Sequence, residues 1–204
     1  MLLAIDPEYP EGYLVHQVVR ELRRDGVVIL PTDTVYALAC DIHSIVAMKR
    51  LAKIKGKERQ KLFSILLGDL AEIGTYAENV GTHSYRTMKR LLPGAYTFIL
   101  EASTVIPKLM ATRRRTIGIR LPDCPITLAV AEQLGNPLVT TTLGMDEDPF
   151  LSDPYALHDS FGNDVAMVVD GGVIRTEPSS VVDLSGPYPE VLREGRGDVS
   201  LFQE

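Results

Sequence analysis

The sequence predicts an α/β fold in which helices flank a twisted sheet of mixed parallel and antiparallel strands. Helical and strand-like patterns alternate along most of the chain, and two strand-like patterns follow each other near its C-terminus. The branched apolar run 27–30 lies between Gly26 and Pro31 and is typical of a strand buried on both faces. Because 204 residues suffice for one full core, we expect residues 1–204 to form a single domain.

The N-terminal half alternates predicted helices and strands. Gly26 supplies a left-handed stop for the first helix, and Ser44 caps a helix whose basic and apolar residues lie on opposite faces. The predicted elements are helix 13–24, strand 27–30, a helix from Ser44 to Gly56, strand 62–67, a helix capped by Asp69, a helix capped by Thr82 and ending at 93–94, and strand 96–102.

The C-terminal half continues the alternation and then pairs two strands. Pro125 begins a helix, and the acidic stretch 143–153 contains Pro149 and is predicted to be a mobile loop. The predicted elements are a helical turn over 105–111, strand 116–120, helix 125–134, strand 138–142, helix 153–161, strand 165–169, a turn over 170–172, and strands 181–184 and 189–193.

Several function classes are excluded by what the sequence lacks. Its longest apolar runs are far shorter than the roughly 20 residues that cross a bilayer, and its N-terminus has no charged start. Cys40 and Cys124 are too few for a disulfide scaffold, and the four histidines show no paired metal spacing. No nucleophile triad, Walker loop or dinucleotide fingerprint is present. We therefore expect a cytoplasmic protein without membrane contact, without a metal site and without a tightly bound cofactor.

Basic residues are concentrated in two segments, although the formal net charge is −6. Residues 49–61 contain seven lysines and arginines, and residues 113–115 are three consecutive arginines. Any positive surface must therefore be local. Two interpretations remain open at this stage, an anion-binding groove and a solvated helix face.

Polar side chains follow the buried strand 27–30 at once. Thr32, Asp33, Thr34 and Tyr36 lie within five residues of its end, where α/β proteins build ligand sites. A capped turn in which Asp33 or Thr34 begins a helix is the alternative. Arg120 lies in a strand that looks buried, so it should meet either a structural carboxylate or an anionic ligand.

The motif 31–36, Pro-Thr-Asp-Thr-Val-Tyr, resembles the signature of the YrdC-like family, the threonylcarbamoyl-adenylate synthases of tRNA modification. Further family landmarks recur in order, namely a lysine pair near 55, 92–94, 118–122, 179–183 and 193–195. The details are most similar to the YciO branch of that family. The resemblance implies a sheet curved around a basic cavity, and a nucleotidyltransferase that joins threonine, bicarbonate and ATP with Mg²⁺ into threonylcarbamoyl-AMP and pyrophosphate.

The resemblance also implies the site residues. Those expected to bind threonine are Thr32, Thr34, Tyr36, Arg120, Thr140 and Ser179. Those expected to bind the nucleotide are Lys55, Lys57, Lys61, Thr116, Thr142 and Arg193, with Lys55, Lys57 and Arg120 as the catalytic cations.

Three positions depart from the synthase pattern. Lys57 replaces the arginine of a Lys-x-Arg motif, 142–144 replaces Ser-Ala-Asn, and Leu66 replaces a histidine. These changes leave open a hydrolase of threonylcarbamoyl-AMP or of another acyl-adenylate. The basic segments also leave open a protein that binds tRNA or double-stranded RNA without catalysis, and a partner-binding relic remains a third alternative.

Overall fold

In the computed structural model, the described residues are 1–56, 63–110, 114–143, 152–174 and 177–202. They form six α-helices and eleven strands. The helices are α1 (Gly12–Leu22), α2 (Ile45–Lys55), α3 (Ile73–Tyr76), α4 (Thr82–Leu91), α5 (Pro125–Leu134) and α6 (Pro154–Phe161). The strands are β1 (Leu2–Ala4), β2 (Val28–Leu30), β3 (Ala37–Asp41), β4 (Ser64–Leu66), β5 (Ala77–Glu78), β6 (Tyr96–Ala102), β7 (Thr116–Arg120), β8 (Leu138–Thr142), β9 (Met167–Asp170), β10 (Ser180–Asp183) and β11 (Glu190–Arg193).

The strands form one mixed sheet in the order β1-β9-β2-β3-β8-β4-β7-β6-β10-β11, with β5 paired to β6. Parallel pairs join β9 to β1 and β2, β4 to β7, and β6 to β10, and the remaining pairs are antiparallel. The predicted mixed sheet flanked by helices is therefore confirmed.

Two helical layers pack on the sheet, and they cover its faces unequally. Helices α2, α3, α4 and α6 contribute to the larger core on one face. Helices α1 and α5 pack on the other face, against β2, β3, β8 and β9. In the described part of the chain, this second core does not extend to β6 or β10. Every second residue of β6 is accordingly only half-buried.

Several local predictions are corrected by the structure. Strand β3 follows the signature motif, so neither Asp33 nor Thr34 begins a helix, and the hairpin β2–β3 has the register Leu30↔Ala37. The left-handed residue after α1 is Asp25 rather than Gly26. Gly81 is the N-cap of α4, and the Thr82 side chain does not cap it. Residues 105–110 form hydrogen-bonded turns, and residue 111 of the predicted helical turn lies outside the described residues.

Sequence patterns did not predict the short strands β1 and β5. Both have at most three residues, and their pairing with β9 and β6 depends on partners far away in the sequence. Most of the predicted loop 143–153 lies outside the described residues.

Candidate functional site

The half-covered face of the sheet carries a row of hydroxyl groups that runs from β8 across β4, β7 and β6 to the residue before β10. Ser64 and Thr140 share a hydrogen bond of 3.1 Å between their hydroxyls, and Thr97 and Ser179 share one of 2.8 Å. Gly118 lies between the two pairs. A Cβ atom there would meet Thr97 Cγ2 at 3.1 Å and Ser64 Cβ at 3.2 Å, closer than side chains on a flat sheet. The face is therefore concave at Gly118, and its floor is polar.

The signature loop is fixed by its own side chains before any ligand is considered. The Thr32 hydroxyl donates to Val35 O at 2.6 Å and accepts the backbone N–H groups of Thr34 and Val35, both at 3.1 Å. Thr127, in the first turn of α5, donates its hydroxyl to Pro31 O at 2.6 Å. Thr32 thus stabilises the loop conformation, and its hydroxyl also lies 3.0 Å from that of Thr34.

Arg120 meets a carboxylate inside the protein. Its Nη2 donates to Asp33 Oδ1 and to Thr34 Oγ1, each at 3.0 Å, and both charged side chains are less than one tenth exposed. Arg120 Nε and Asp33 Oδ2 are buried and have no hydrogen-bond partner among the described residues. Burial lowers the pKa of the Arg120 guanidinium, while the Asp33 carboxylate raises it and Arg193 lowers it further.

This contact shows how strongly the sheet curves. Strand β7 lies four strand positions from β2, which in a flat sheet would be about 19 Å. Arg120 nevertheless reaches the loop that leaves β2. Twist and curvature together therefore bring the signature loop over the concave face.

Ser179 and Arg193 lie at the same end of the face as Arg120. Arg193 donates from Nε and Nη2 to Ser179 O at 3.0 and 2.7 Å, and from Nη2 to Ser179 Oγ at 3.2 Å. Burial lowers the pKa of the Arg193 guanidinium. The structure thus places Arg193 beside the predicted threonine residues, whereas the sequence analysis expected it at the nucleotide. Arg196 adds a third guanidinium, whose Nη1 donates to Asp33 O.

Tyr36 is buried away from this cluster. Its hydroxyl donates to Gly172 O at 2.8 Å and accepts Gly171 N–H at 3.2 Å, and its ring belongs to the larger core. Burial raises the pKa of the phenol well above its ordinary value. The hydroxyl therefore fixes the loop after β9 in the ligand-free protein.

We expect Tyr36→Phe to reduce the free energy of unfolding by about 1–2 kcal/mol, because Gly171 N–H and Gly172 O lose a partner. Since the phenol pKa is raised, this contribution is complete below about pH 10, where an unfolded tyrosine ionises, and is lost as pH rises beyond it. Chemical denaturation at neutral pH measures the effect. Tyr9→Phe, at a tyrosine that is 82% exposed, is the control and should change nothing. An equal loss in both variants would contradict the assignment.

Of the predicted nucleotide residues, Thr116 lies at the other end of β7 from Arg120, and Thr142 pairs with Ala37, the residue directly after the signature loop. Thr116 begins β7 and Thr142 ends β8, which runs antiparallel to β4 and therefore to β7. Four residues of β7 separate Thr116 from Arg120, a distance of about 13 Å along the strand. The candidate site therefore has two ends.

Lys55 Nζ donates to Thr141 Oγ1 at 2.6 Å and to Thr142 O at 2.7 Å. The Thr141 side chain lies on the face of β8 opposite to Thr140, since side chains alternate along a strand.

The other predicted positions are Thr140, Leu66, Lys57 and Lys61, and the structure describes the first two of them. Thr140 lies on the floor between the two ends, bonded to Ser64. Leu66 is fully buried in the core under α1 and α5, in register with Arg120. Lys57 and Lys61 lie outside the described residues.

Sequence reasoning missed three residues at the site. Asp33 was inside the recognised motif but was not assigned a role, and its pairing with Arg120 spans 87 residues. Thr97 and Arg196 carried no local signal, because a threonine in a strand and an arginine after a glycine are common. Only the approach of distant segments shows their position.

The described residues contain neither a candidate metal site nor a helix that could span a membrane. No group of three histidine, cysteine, aspartate or glutamate side chains among them could hold a metal ion. None of their helices is both long and apolar enough to cross a membrane.

A family model and curated relatives that match this chain point to the same protein family. A family model named for Sua5, YciO and YrdC, and described as telomere recombination, matches residues 20–195. The uncharacterized protein YciO of Escherichia coli K12 is 38% identical over 202 residues, which cover 97% of each protein. A threonylcarbamoyl-AMP synthase of Mus musculus is 31% identical over 176 residues, which cover 83% of this chain and 62% of the mouse protein.

Solved structures share the fold. The crystal structure of E. coli YciO matches with a TM-score of 0.92 and 37% identity, covering 99% of this chain and 98% of that one. P. abyssi Sua5 complexed with L-threonine matches with a TM-score of 0.88 and 24% identity, covering 96% of this chain and 57% of that one. The concave mixed sheet is therefore an architecture shared with these proteins.

Proposed function

Because the chain belongs to the Sua5/YciO/YrdC family, we propose that it is a nucleotidyltransferase that makes threonylcarbamoyl-AMP. Its substrates are threonine, bicarbonate and ATP with Mg²⁺, and pyrophosphate is the second product. The adenylate would serve the threonylcarbamoyl-adenosine modification of tRNA. The name of the mouse relative, threonylcarbamoyl-AMP synthase, supports this reaction class.

The observation that carries the proposal is the unsatisfied guanidinium in the concave face. Arg120 Nε is buried without a partner, although native proteins satisfy nearly all buried donors. Arg193 lies near enough to lower the pKa of Arg120, and Arg196 binds the signature loop. Arg120 pairs with the Asp33 carboxylate, whereas Arg196 binds the Asp33 backbone carbonyl and Arg193 binds Ser179, so these two guanidinium groups are not paired with Asp33. This arrangement suits a ligand that carries a carboxylate.

The two ends of the site match the two ends of such a product. The end with Arg120 and Ser179 suits the threonyl group, and the opposite end of β7, with Thr116, suits the nucleotide. Their separation along β7, about 13 Å, is comparable to the length of an acyl-adenylate. The hydroxyl floor between them offers hydrogen bonds without adding a negative charge that would repel the phosphate.

The reaction requires positioning and charge neutralisation rather than a protein nucleophile. The threonine amino group first forms a carbamate with bicarbonate, releasing water. A carbamate oxygen then attacks the α-phosphorus of ATP, and pyrophosphate leaves. Fixed cations that hold the carboxylate and the phosphates together lower the barrier by proximity and by neutralising the developing charge.

Mass spectrometry of the reaction mixture tests the proposal. The protein is incubated with ATP, Mg²⁺, threonine and ¹³C-bicarbonate, and the expected product is an adenylate whose mass includes the isotope, formed together with pyrophosphate. Mixtures without threonine or without protein are the controls. ATP binding without any adenylate would contradict the synthase assignment.

Hydrolysis of the same adenylate is the second candidate. It is favoured by Leu66, an apolar side chain buried next to Arg120 in the sheet register, where the resembled synthases have an imidazole. Synthetic threonylcarbamoyl-AMP added to the protein distinguishes the two reactions. Rapid release of AMP, with no synthesis from ATP, would assign the chain as a hydrolase.

A further inference from the structure

The ion pair between Arg120 and Asp33 contains only one of the two hydrogen bonds that a guanidinium and a carboxylate can form. A guanidinium that meets a carboxylate side-on uses Nε and Nη2 against both oxygens. Here Nη2 donates to Oδ1 at 3.0 Å, while Nε and Oδ2 have no partner in the described part of the chain. The side chains are 6% and 7% exposed, so these atoms are withdrawn from bulk water. One buried donor and one buried acceptor are thus left on the two groups of a single pair.

Contacts with neighbouring residues explain why the second hydrogen bond between Arg120 and Asp33 does not form. Arg120 Nη2 is shared between Asp33 Oδ1 and Thr34 Oγ1. Arg196 binds Asp33 O, and Thr32 fixes the turn that follows Asp33. The loop is therefore held in a position in which the buried donor and the buried acceptor stay unpaired.

The two unpaired atoms determine the chemistry of a ligand that would pair with both. Arg120 Nε–H requires an acceptor, and the Asp33 Oδ2 carboxylate oxygen requires a donor. An α-amino acid carries both on one carbon, a carboxylate and a nitrogen that bears hydrogen. A carboxylic acid with no donor on its α-carbon would satisfy Arg120 and offer no donor at that carbon to Asp33.

We propose that Asp33 recognises the nitrogen of the amino acid, so that Arg120 and Asp33 together select an α-amino acid over the corresponding acid without the amine. This inference rests on the proposed function, whose substrate it specifies further. It adds Asp33 to the residues that touch the substrate. Binding of the amino acid opens the contact between Arg120 Nη2 and Asp33 Oδ1, but Nη2 keeps its hydrogen bond to Thr34. Arg120 Nε and Asp33 Oδ2 each gain a hydrogen-bond partner on the ligand.

A different role for Asp33 makes an opposite prediction. If Asp33 only neutralises Arg120 in the ligand-free protein, it competes with the substrate carboxylate for the guanidinium. Removing its charge would then strengthen the binding of every carboxylate, with or without an amine. The two roles therefore differ in the sign of the effect of Asp33→Asn.

Calorimetric titration of L-threonine and 3-hydroxybutanoate into the wild-type protein and Asp33→Asn decides between them. The second compound keeps the carboxylate, hydroxyl and methyl groups of threonine but lacks the nitrogen. We expect the wild-type protein to prefer threonine by roughly 10- to 100-fold, the value of a hydrogen bond to a charged group. In Asp33→Asn that preference should disappear, with the affinity for 3-hydroxybutanoate unchanged or higher. Equal wild-type affinities, or equal gains for both compounds in the variant, would overturn the proposal.

Asp69→Asn is the matched control, because Asp69 caps a short 3₁₀ helix at Leu70–Glu72 and asparagine caps equally well. It should keep the wild-type preference. If Asp33→Asn does not fold, equal affinities of the wild-type protein for the two compounds still overturn the proposal. Titration of ATP distinguishes a failure of the proposed function from a failure of the inference about Asp33. A protein that binds ATP but not threonine overturns the proposed function and this inference together, whereas threonine binding without preference overturns only the inference.

Discussion

Replacing Arg120 by alanine should cost about 3–5 kcal/mol in the free energy of unfolding, because it leaves the buried Asp33 carboxylate without its counter-ion. The side chain of Asp33 is 7% exposed, so water cannot replace the guanidinium. Threonine binding should be lost as well, since the free Nε donor disappears. Chemical denaturation and calorimetric titration measure the two effects.

The double variant Arg120→Ala/Asp33→Asn tests the cause of that loss. Removing both charges should recover a large part of the lost stability without restoring threonine binding, and the cycle of single and double variants gives the coupling energy. A loss below about 1 kcal/mol in Arg120→Ala alone would show that the ion pair contributes little to the fold.

The second large effect is expected for Gly195→Ala. A Cβ atom at this position would collide with Pro178 O and lie 2.8 Å from the carbonyl carbon of Ser179, both of them backbone atoms that cannot rotate away. The collision should cost about 1–3 kcal/mol of stability. It also displaces the segment that carries Arg193 and Arg196, so threonine affinity should fall.

Gly12→Ala is the matched control for Gly195→Ala. Gly12 is the first residue of α1, and a Cβ there meets nothing within 4 Å. The control should keep both the wild-type stability and the wild-type affinity, or gain slightly in stability because alanine favours the helix. Unchanged threonine affinity in Gly195→Ala would show that the C-terminal segment does not contribute to threonine binding.

Much of the fold could be predicted from the sequence because the long elements have strong local patterns. Helices α2, α5 and α6 and strands β6, β7 and β8 lie within the ranges that periodicity and capping indicate. Their apolar faces are continuous, and their ends carry caps such as Ser44, Asp153 and Gly135. The three-residue strand β1 has no such pattern, since its pairing with β9 depends on a partner more than 160 residues away.

The candidate site could be predicted only as a list of residues. The motif at 31–36 and Arg120 were recognisable, but their roles depended on what each side chain meets. For Arg120, the sequence left a structural carboxylate and an anionic ligand open. The structure pairs Nη2 with Asp33 and leaves Nε without a partner among the described residues, so the structural carboxylate is confirmed and the anionic ligand stays a prediction.

By itself, the sequence determined the local conformations and the motifs of the family, because helix periodicity, strand composition and turn residues act over a few positions. Only the tertiary structure decided which polar groups share a partner. The contact of Arg120 with Asp33 spans 87 residues and that of Arg196 with Asp33 spans 163, and Tyr36 reaches Gly172 across 136. These contacts exist because the sheet twists and curves enough to bring the loop after β2 over β7. That curvature is a property of ten hydrogen-bonded neighbouring strands together and of no single segment.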